Sequence, residues 1–439
     1  MKKRVLSLLL ACAVAVTGIP ALNPAVKAEA KAKEGSVLNI YTWNEEFKTI
    51  VENHYPGYKD GKIGDVSVNW VVVPSDSGAY QDNLDMTLLN QNALDADDRV
   101  DMFLVEPDYA LKYLDSDYVL PVSKLGIKKS SLKNQYKYTW DLGSDSKGNL
   151  KALTWQCCPG VMIYNREIAK EVLGTDDPKK VQKYVSSWDK YNQTAKKVAK
   201  KGYKMTATAQ DTYRVYADNI KTPWVKKGAL NVDKNVEAWV KDSKELIDAG
   251  ATTSGGMWFE EWMQGFYGGV FCYFGPAWFV NFCMDYGWSG DSVANDGGWA
   301  VTEGPQNFFW GSSLICAAEG TDNPTLVAKI MKTLTCDAKV MKDIATDEGD
   351  FVNNNKTMAA ISKAGYKSEI LGGQNPLPVY MNCAKKLRYK NLSAYDTACD
   401  NGFQSEADRY FKGYVDSYAQ LKKNFYTYME DLYPELKGK

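Results

Sequence analysis

The chain has 439 residues and a formal charge of −1 at pH 7, with 53 lysines and arginines against 54 aspartates and glutamates. This balance excludes the basic surface on which nucleic-acid binding depends, and the length allows roughly two or three domains with sizeable cores. Hydrophobic residues make up 45% of the chain and charged residues 24%, as in an ordinary globular protein.

The first 30 residues have the pattern of a secretory signal peptide. Residues 2–4 are basic, residues 5–16 are apolar, and the small residues within 28–30 suit cleavage. The apolar run is shorter than the roughly 20 residues that a membrane-spanning helix needs. We therefore expect an exported protein, at the outer face of the cell membrane or in the periplasm. Residues 9–12 also resemble a lipid-attachment site, so lipidation of Cys12 is the alternative to release.

The first part of the exported chain alternates strand and helix patterns. An apolar run typical of a buried strand lies at 37–41, further strand patterns lie at 66–73 and 100–105, and helical spacing follows each of them. This order predicts a parallel sheet covered by helices, and hence an α/β fold. The pattern restarts at 152–164 after a loop. Further helices are predicted to begin at Ser187 and Asn323 and to span 405–432.

Ligands of open α/β sheets bind beyond the carboxyl ends of the strands, which selects candidate site residues by position. The residues that follow the predicted strands and apolar runs are Trp43, Asn44, Glu106, Asp108, Trp155, Gln156, Gln210 and Asp211. Capping of the following helix is the alternative role for Glu106 and Asp108. A buried ring is the alternative role for Trp155.

The stretch 257–282, MWFEEWMQGFYGGVFCYFGPAWFVNF, combines many aromatic residues with glycines and few charges. Trp288, Trp299 and the aromatic residues of 308–310 extend it. Aromatic faces pack against the C–H face of a sugar ring, while amide, carboxylate and backbone groups bond to its hydroxyls. The pattern therefore indicates that part of this stretch faces a sugar and the rest is core.

The nine cysteines lack the paired spacing of a zinc site, so no metal or cofactor is expected. Cys157 and Cys158 are adjacent, and a disulfide between neighbours would be strained. Cys383 and Cys399 flank a polar loop, and in an exported protein they either form a disulfide or stay free.

Residue patterns that would support catalysis are sparse. Glu260 and Glu261 are neighbours whose side chains point apart, so they cannot flank one glycosidic bond. A pair of Glu106 with Asp211 across a cleft is geometrically possible. The sole histidine, His54, lies in a polar turn and is expected to be solvated, which argues against a nucleophile–histidine pair. We expect a protein that is not an enzyme.

Four segments, in fixed order, carry a resemblance to a known family. They are 155–167 (WQCCPGVMIYNRE), 187–190 (SWDK), 266–278 (FYGGVFCYFGPAW) and 310–334 (WGSSLICAAEGTDNPTLVAKIMKTL). The chain resembles the extracellular solute-binding proteins of ABC importers, in the maltose-binding-like group that carries carbohydrates (solute-binding protein family 1). It departs from that pattern in the two cysteines of the first segment, and in Ser312 and Ser313, where a second glycine is usual.

The resemblance implies two α/β lobes joined by a hinge of several crossings, the type II periplasmic-binding-protein architecture, with the ligand in the cleft. The implied first lobe holds 31–157 and about 301–350, and the implied second lobe holds 158–300 and about 351–439. It also implies that Trp278, Trp310 and Gly311 lie beside the sugar.

The implied function is that of the substrate-binding component of a sugar importer. Such a protein captures an extracellular carbohydrate, here expected to be an oligosaccharide, and delivers it to the membrane permease subunits. We expect a monomer that needs no cofactor and binds no nucleic acid. Two alternatives stay open: a binding protein for a peptide or other non-sugar solute, and a secreted glycoside-active enzyme.

Overall fold

The computed structural model of the protein describes residues 34–284, 292–389 and 393–438. The predicted signal peptide, with Cys12, and Trp288 lie outside the described residues. None of the helices in these ranges is both long and apolar enough to cross a lipid bilayer.

Thirteen strands lie within the described ranges. They are β1 (Val37–Thr42), β2 (Tyr58–Lys59), β3 (Lys62–Ile63), β4 (Val66–Val72), β5 (Met102–Val105), β6 (Ala152–Leu153), β7 (Pro159–Asn165), β8 (Val225–Lys226), β9 (Ala229–Leu230), β10 (Cys272–Gly275), β11 (Trp299–Thr302), β12 (Phe308–Phe309) and β13 (Leu314–Ala317).

The larger sheet contains seven of the described strands, in the order β2-β3-β4-β1-β5-β13-β6. At its centre β1 runs parallel to both β4 and β5, and Ile40 stands opposite Trp70. β13 comes from much later in the chain and pairs antiparallel with β5 and β6. The predicted strands 37–41, 66–73 and 100–105 thus form the centre of one sheet, and the α/β prediction is confirmed.

The smaller sheet is built around β7, which is buried along its whole length. Its described strands follow the order β10-β7-β11, with β12 also paired to β7. All three partners run antiparallel to β7. The smaller sheet therefore does not repeat the parallel arrangement of the first, because β7 pairs with strands that return from later segments. The described strands β8 and β9 form a separate hairpin.

Sixteen α-helices lie within the described ranges. They are α1 (Glu46–His54), α2 (Ala79–Asn90), α3 (Pro107–Leu114), α4 (Lys137–Leu142), α5 (Arg166–Leu173), α6 (Pro178–Val185), α7 (Trp188–Lys200), α8 (Gln210–Ala217), α9 (Lys234–Asp248), α10 (Glu260–Met263), α11 (Pro324–Cys336), α12 (Ala338–Asp347), α13 (Asn355–Lys363), α14 (Leu377–Lys386), α15 (Asp396–Phe411) and α16 (Tyr418–Leu432).

Helix boundaries follow local capping chemistry. The predicted start of α7 is confirmed, because the Ser187 side chain accepts a hydrogen bond from the Lys190 amide. The prediction of one helix over 405–432 is wrong. Gly413, at φ 78°, turns the chain after α15, and Ser417 caps α16 by accepting a hydrogen bond from the Gln420 amide at 3.2 Å.

Two segments that cross between the sheets lie side by side. One joins β6 to β7 and the other joins β12 to β13. The Trp310 amide donates to the Cys158 carbonyl at 3.1 Å, and the hydroxyls of Thr154 and Ser312 are 2.9 Å apart. Residues of both sheets belong to one hydrophobic core, which holds these crossings in place. The residue boundaries of the two lobes stay a prediction.

The two cysteines considered for a disulfide are both free and buried. Cys383 belongs to the core that joins the two sheets, whereas Cys399 belongs to the core of α8, α9, α15 and α16. A disulfide between Cys383 and Cys399 is therefore not formed. The six other described cysteines are free as well.

Candidate ligand-binding site

A cavity of about 500 Å³, called here the main cavity, lies where the two sheets meet. Its aromatic wall consists of Trp43, Trp258, Trp278, Phe282 and Trp310. Its polar side chains are those of Asn44, Glu46, Glu106, Gln156, Ser312 and Ser313, and Gly311 completes it. Seven of the predicted site residues are thus brought together: Trp43, Asn44, Glu106, Gln156, Trp278, Trp310 and Gly311.

Trp278 and Trp310 form one rigid element of the wall. The Trp278 indole nitrogen donates to the Trp310 carbonyl at 3.0 Å, and the two ring centroids are 5.1 Å apart at 71°. Gly311 has φ 78°, and a Cβ there would lie 3.2 Å from the Trp278 indole nitrogen. Glycine suits this position, because L side chains rarely adopt this backbone conformation and a Cβ here would press on the indole. Ser312 also has a positive φ, 111°, although it is not glycine.

Polar groups at the carboxyl ends of β1 and β5 line the main cavity, as the strand-end rule predicts. Trp43 packs edge-on against Tyr80 at 5.6 Å, and Asn44 is exposed and accepts a hydrogen bond from the Glu46 amide at 3.1 Å. Glu106 precedes α3 but its side chain does not cap that helix. Its carboxyl group is therefore not engaged by the helix terminus.

A network of buried polar groups underlies the main cavity. Gln156 donates to Glu46 and, at 3.5 Å, to Asp350, while Ser313 donates to Glu46 at 3.4 Å. Burial, and then the neighbouring Asp350 carboxylate, raises the pKa of Glu46 to about 8. At neutral pH a protonated Glu46 can donate a hydrogen bond as well as accept one.

The pKa of Glu106 is also raised, to about 7. Burial is the main cause and the Asp108 carboxylate adds to it, while the Arg214 guanidinium opposes both. Asp108 itself is bound by Arg214, with Nη2 2.7 Å and Nη1 3.0 Å from its two carboxylate oxygens. Asp108 does not line the main cavity.

A second cavity of about 280 Å³, called here the side cavity, adjoins the first. The two share Trp258 and Trp310 as lining residues. Asp108 and Gln210, two further predicted site residues, line the side cavity. Gln210 accepts a hydrogen bond from the Met257 amide at 2.8 Å and donates one to Gln404 at 3.0 Å.

Two predicted site residues are buried and line neither cavity. Trp155 has no exposed surface, stacks on Phe47 at 5.4 Å, and donates its indole N–H to Asp350 at 2.9 Å. Asp211 accepts hydrogen bonds from the Thr208 amide at 2.8 Å and the Trp262 indole at 2.7 Å. Each side chain is engaged in the core and neither residue lines a cavity, so ligand contact by Trp155 and Asp211 has no support from the geometry and stays a prediction.

The residues considered for catalysis are dispersed. Glu260 and Glu261 are exposed on α10 and line neither cavity. The expected solvation of His54 is wrong: its side chain is 5% exposed and its Nε2 lies 2.8 Å from Glu348. Glu106 and Asp211 share no cavity, because Asp211 is buried. Among the described residues, no cluster of side chains could hold a metal ion.

Several cavity residues escaped the sequence-based selection. Trp258, Phe282, Glu46, Ser312 and Ser313 line the main cavity, and Arg214 lines the side cavity. Glu46 was available in principle, since it lies four residues after β1 in the same loop–helix junction as Asn44. Trp258 and Phe282 lie in the aromatic stretch 257–282, but its sequence did not indicate which of its rings line a cavity. Arg214, Ser312 and Ser313 reach the cavities through packing between distant segments, and no local pattern marks them as site residues.

No protein-family model matches the chain, and no curated protein matches it in sequence. Solved structures do match. One described as an extracellular solute-binding protein family 1 has a TM-score of 0.75 at 15% identity, over 90% of this chain and 100% of its own. The sugar-binding protein MalE from the phytopathogen Xanthomonas citri has a TM-score of 0.69 at 13% identity, over 90% of this chain and 97% of its own.

A third match is the galacto-N-biose/lacto-N-biose I-binding protein of an ABC transporter from Bifidobacterium longum, in complex with lacto-N-biose. It has a TM-score of 0.65 at 15% identity, over 93% of this chain and 100% of its own. The chain therefore has the type II periplasmic-binding-protein fold of the extracellular solute-binding proteins. The resemblance drawn from the sequence is confirmed at the level of fold.

Proposed function

We propose that this exported protein is the substrate-binding component of an ABC sugar importer. It captures an extracellular carbohydrate in the main cavity and delivers it to membrane permease subunits. It acts as a monomer without a cofactor. The single observation that carries the proposal is that tryptophans and hydrogen-bonding side chains line one cavity at the junction of the two sheets.

The chemistry of the main cavity suits a sugar. Trp278 and Trp310 are held rigidly by each other, and part of each ring is accessible. A flat ring face of this kind takes the C–H face of a pyranose at little conformational cost. In the same cavity, Gln156 and Glu106 supply planar groups that can bond to hydroxyls. A peptide would instead call for partners of its backbone and charged ends, so the sugar is the better match.

The solved structures of the same fold support this choice. The proteins from Xanthomonas citri and Bifidobacterium longum are described as a sugar-binding protein and as a disaccharide-binding protein of an ABC transporter. At 13% and 15% identity they support the class of ligand by analogy. The identity of the sugar must come from binding measurements.

One observation favours a second candidate function, a glycoside-active enzyme. Glu46 and Glu106 both line the main cavity, and burial raises the pKa of each. In glycosidases, two carboxyl groups with raised or divergent pKa values act as the general acid and as the nucleophile or general base. We favour a receptor because Glu46 is engaged by Gln156 and Ser313, which leaves it less free to transfer a proton.

A thermal-shift screen tests the proposal. The panel holds monosaccharides, disaccharides and trisaccharides, with short peptides and amino acids as the comparison set. A ligand that binds only the folded state raises the melting temperature by mass action. We expect at least one saccharide to do so and the peptides not to. A shift with peptides alone would reverse the assignment.

Chromatography of the bound saccharide after long incubation separates receptor from enzyme. We expect the saccharide to be recovered intact. Release of smaller sugars by the wild type that disappears in Glu106→Gln would establish the enzyme instead.

A further inference from the structure

The side cavity has the composition of a second sugar site. It is lined by the exposed ring of Trp258, by the half-buried rings of Trp310 and Tyr389, and by the polar side chains of Arg214, Asp400 and Gln404. Aromatic faces beside planar donors and acceptors are the same chemistry as in the main cavity. The side cavity is thus built from groups that bind a hydroxylated ring.

Asp400 is fixed so that one of its oxygens is available to a ligand. Its Oδ1 accepts hydrogen bonds from the Tyr213 hydroxyl and, at 3.0 Å, from the Trp224 indole. Among the described residues, Oδ2 accepts none. The two aromatic donors therefore orient the carboxyl group of Asp400, which lines the side cavity with Oδ2 available to bond to a ligand.

Trp258 stands at the junction of the two cavities. Its side chain is 50% exposed, yet its ring packs against Trp262 at 5.1 Å and Trp310 at 5.7 Å. Its φ of 73° is a conformation that non-glycine residues rarely adopt. The loop is tied down where the Met257 amide donates to Gln210, a residue of the side cavity. Trp258 is thus an exposed but positioned ring with access to both cavities.

We propose that the side cavity is a second saccharide subsite and that Trp258 is the ring shared by the two subsites. The inference rests on the proposed function. The ligand is then an oligosaccharide of two or more rings, with adjacent rings on either side of the Trp258–Trp310 boundary. Because each subsite contributes its own stacking and hydrogen bonds, a monosaccharide makes only part of the contacts that a disaccharide makes.

Titration calorimetry with matched saccharides tests the subsite. The probes are disaccharides such as maltose, galactobiose, mannobiose and chitobiose, each with its constituent monosaccharide. We expect the wild type to bind the preferred disaccharide at least about tenfold more tightly than its monosaccharide. Trp258→Ala should lower the disaccharide affinity by about tenfold or more.

Asp400→Asn tests the side cavity more specifically than Trp258→Ala does, because Trp258 lines both cavities and Asp400 lines only the side cavity. Its Oδ1 can still accept from Tyr213 and Trp224, while Oδ2, which accepts no hydrogen bond from a described residue, is replaced by an amide N–H donor. We expect weaker disaccharide binding, by about fivefold or more, with monosaccharide binding unchanged. Phe259→Ala is the matched control, because Phe259 adjoins Trp258, is 64% exposed, and lines neither cavity. It should leave both affinities unchanged.

The outcomes separate the subsite from the proposed function. If the wild type binds disaccharide and monosaccharide equally, or if Asp400→Asn lowers both alike, the second subsite is overturned while sugar binding stands. If the wild type binds no saccharide of the panel, the proposed function fails and the subsite with it. Should Trp258→Ala fail to fold, as judged by its thermal melt, Asp400→Asn and the wild-type ratio decide.

Discussion

Arg214 and Asp108 form a two-point ion pair, with Nη1 3.0 Å from Oδ1 and Nη2 2.7 Å from Oδ2. Arg214 lies on α8, which packs against strands of the smaller sheet, and Asp108 lies on α3, directly after β5 of the larger sheet. The Arg214 guanidinium also lies 5.6 Å from the centre of the Trp310 ring. The pair therefore connects the two sides of the candidate site next to its aromatic wall.

We expect this ion pair to hold the two sides at the spacing that ligand binding requires. Asp108→Asn and Arg214→Gln should each lower sugar affinity, and a double-mutant cycle should return a coupling of roughly 1 kcal/mol, since the pair is two-point but partly exposed. Calorimetry at low and high salt is the measurement. The coupling should shrink as salt screens the charges.

The control for this cycle is Lys244 with Asp248, an i,i+4 pair on α9 that lines neither cavity. Its removal should leave sugar affinity unchanged. Equal effects from both pairs would mean that Arg214 and Asp108 act through general stability and not through the site.

Trp278→Ala should remove a ligand-facing ring and also free the Trp310 carbonyl. We expect a loss of affinity on the order of 2 kcal/mol or more with folding retained, because the ring is only partly buried. Trp278→Phe, which keeps a ring but lacks the indole N–H bonded to the Trp310 carbonyl, should lose less. Trp310→Ala should resemble Trp278→Ala. Calorimetry and thermal melts of the three variants test this, and normal binding by folded Trp278→Ala would locate the platform elsewhere.

Replacing Trp155 should lower stability first, whereas replacing Trp278 should lower sugar affinity with folding retained. Trp155 is fully buried, so Trp155→Ala should lower the free energy of unfolding by about 3–5 kcal/mol. Trp155→Phe should cost about 1–3 kcal/mol, because Asp350 then loses a buried hydrogen-bond donor. Urea unfolding measures both. If Trp155→Ala kept the full free energy of unfolding but lost sugar binding, Trp155 would be assigned as a ligand contact instead.

Trp155 and Gln156 show why only part of the site follows from the sequence. The strand-end rule selected both, but neighbouring residues of an extended chain point to opposite sides. Gln156 faces the main cavity and Trp155 faces the core, and the choice depends on Phe47, which lies on α1 and stacks on the indole. The rule located the end of the strand and could not decide which of the two residues lines the main cavity.

The fold followed more closely from the sequence than the site did. Apolar runs marked the central strands of the larger sheet because buried strands need continuous hydrophobic residues. The antiparallel pairing of the smaller sheet was not predictable, since β7 pairs with segments far along the chain. Arg214 escaped for the same reason, and Trp258 was marked only as one of many rings in the stretch 257–282. Their position at the cavities depends on packing between distant segments.

The raised pKa of Glu46 makes a prediction about pH. The pKa of Glu46 is about 8 in the folded chain, against an ordinary value of 4.5. Between these two pH values the folded state therefore retains a proton that the unfolded chain has released. The contribution of this proton to the stability of the folded state is therefore full below about pH 4.5, and it is lost as the pH rises through about 8. Stability should fall from mildly acidic to mildly alkaline pH.

Glu46→Gln isolates this contribution, because glutamine keeps an acceptor for Gln156 but does not titrate. Between about pH 5.5 and about pH 8.5, its free energy of unfolding should fall less than that of the wild type, by on the order of 2 kcal/mol. Urea unfolding at the two pH values is the measurement. The exposed Glu260→Gln is the control. An equal pH dependence of the free energy of unfolding in the wild type and in Glu46→Gln would show that the pKa of Glu46 is not raised.

A crystal structure with the saccharide that gives the largest thermal shift tests the central claim most directly. We predict electron density for the sugar in the main cavity, with a ring within about 4 Å of Trp278 or Trp310 and hydroxyls hydrogen-bonded to Glu106 or Gln156. Saturating sugar bound elsewhere on the protein, with the main cavity empty, would contradict the account.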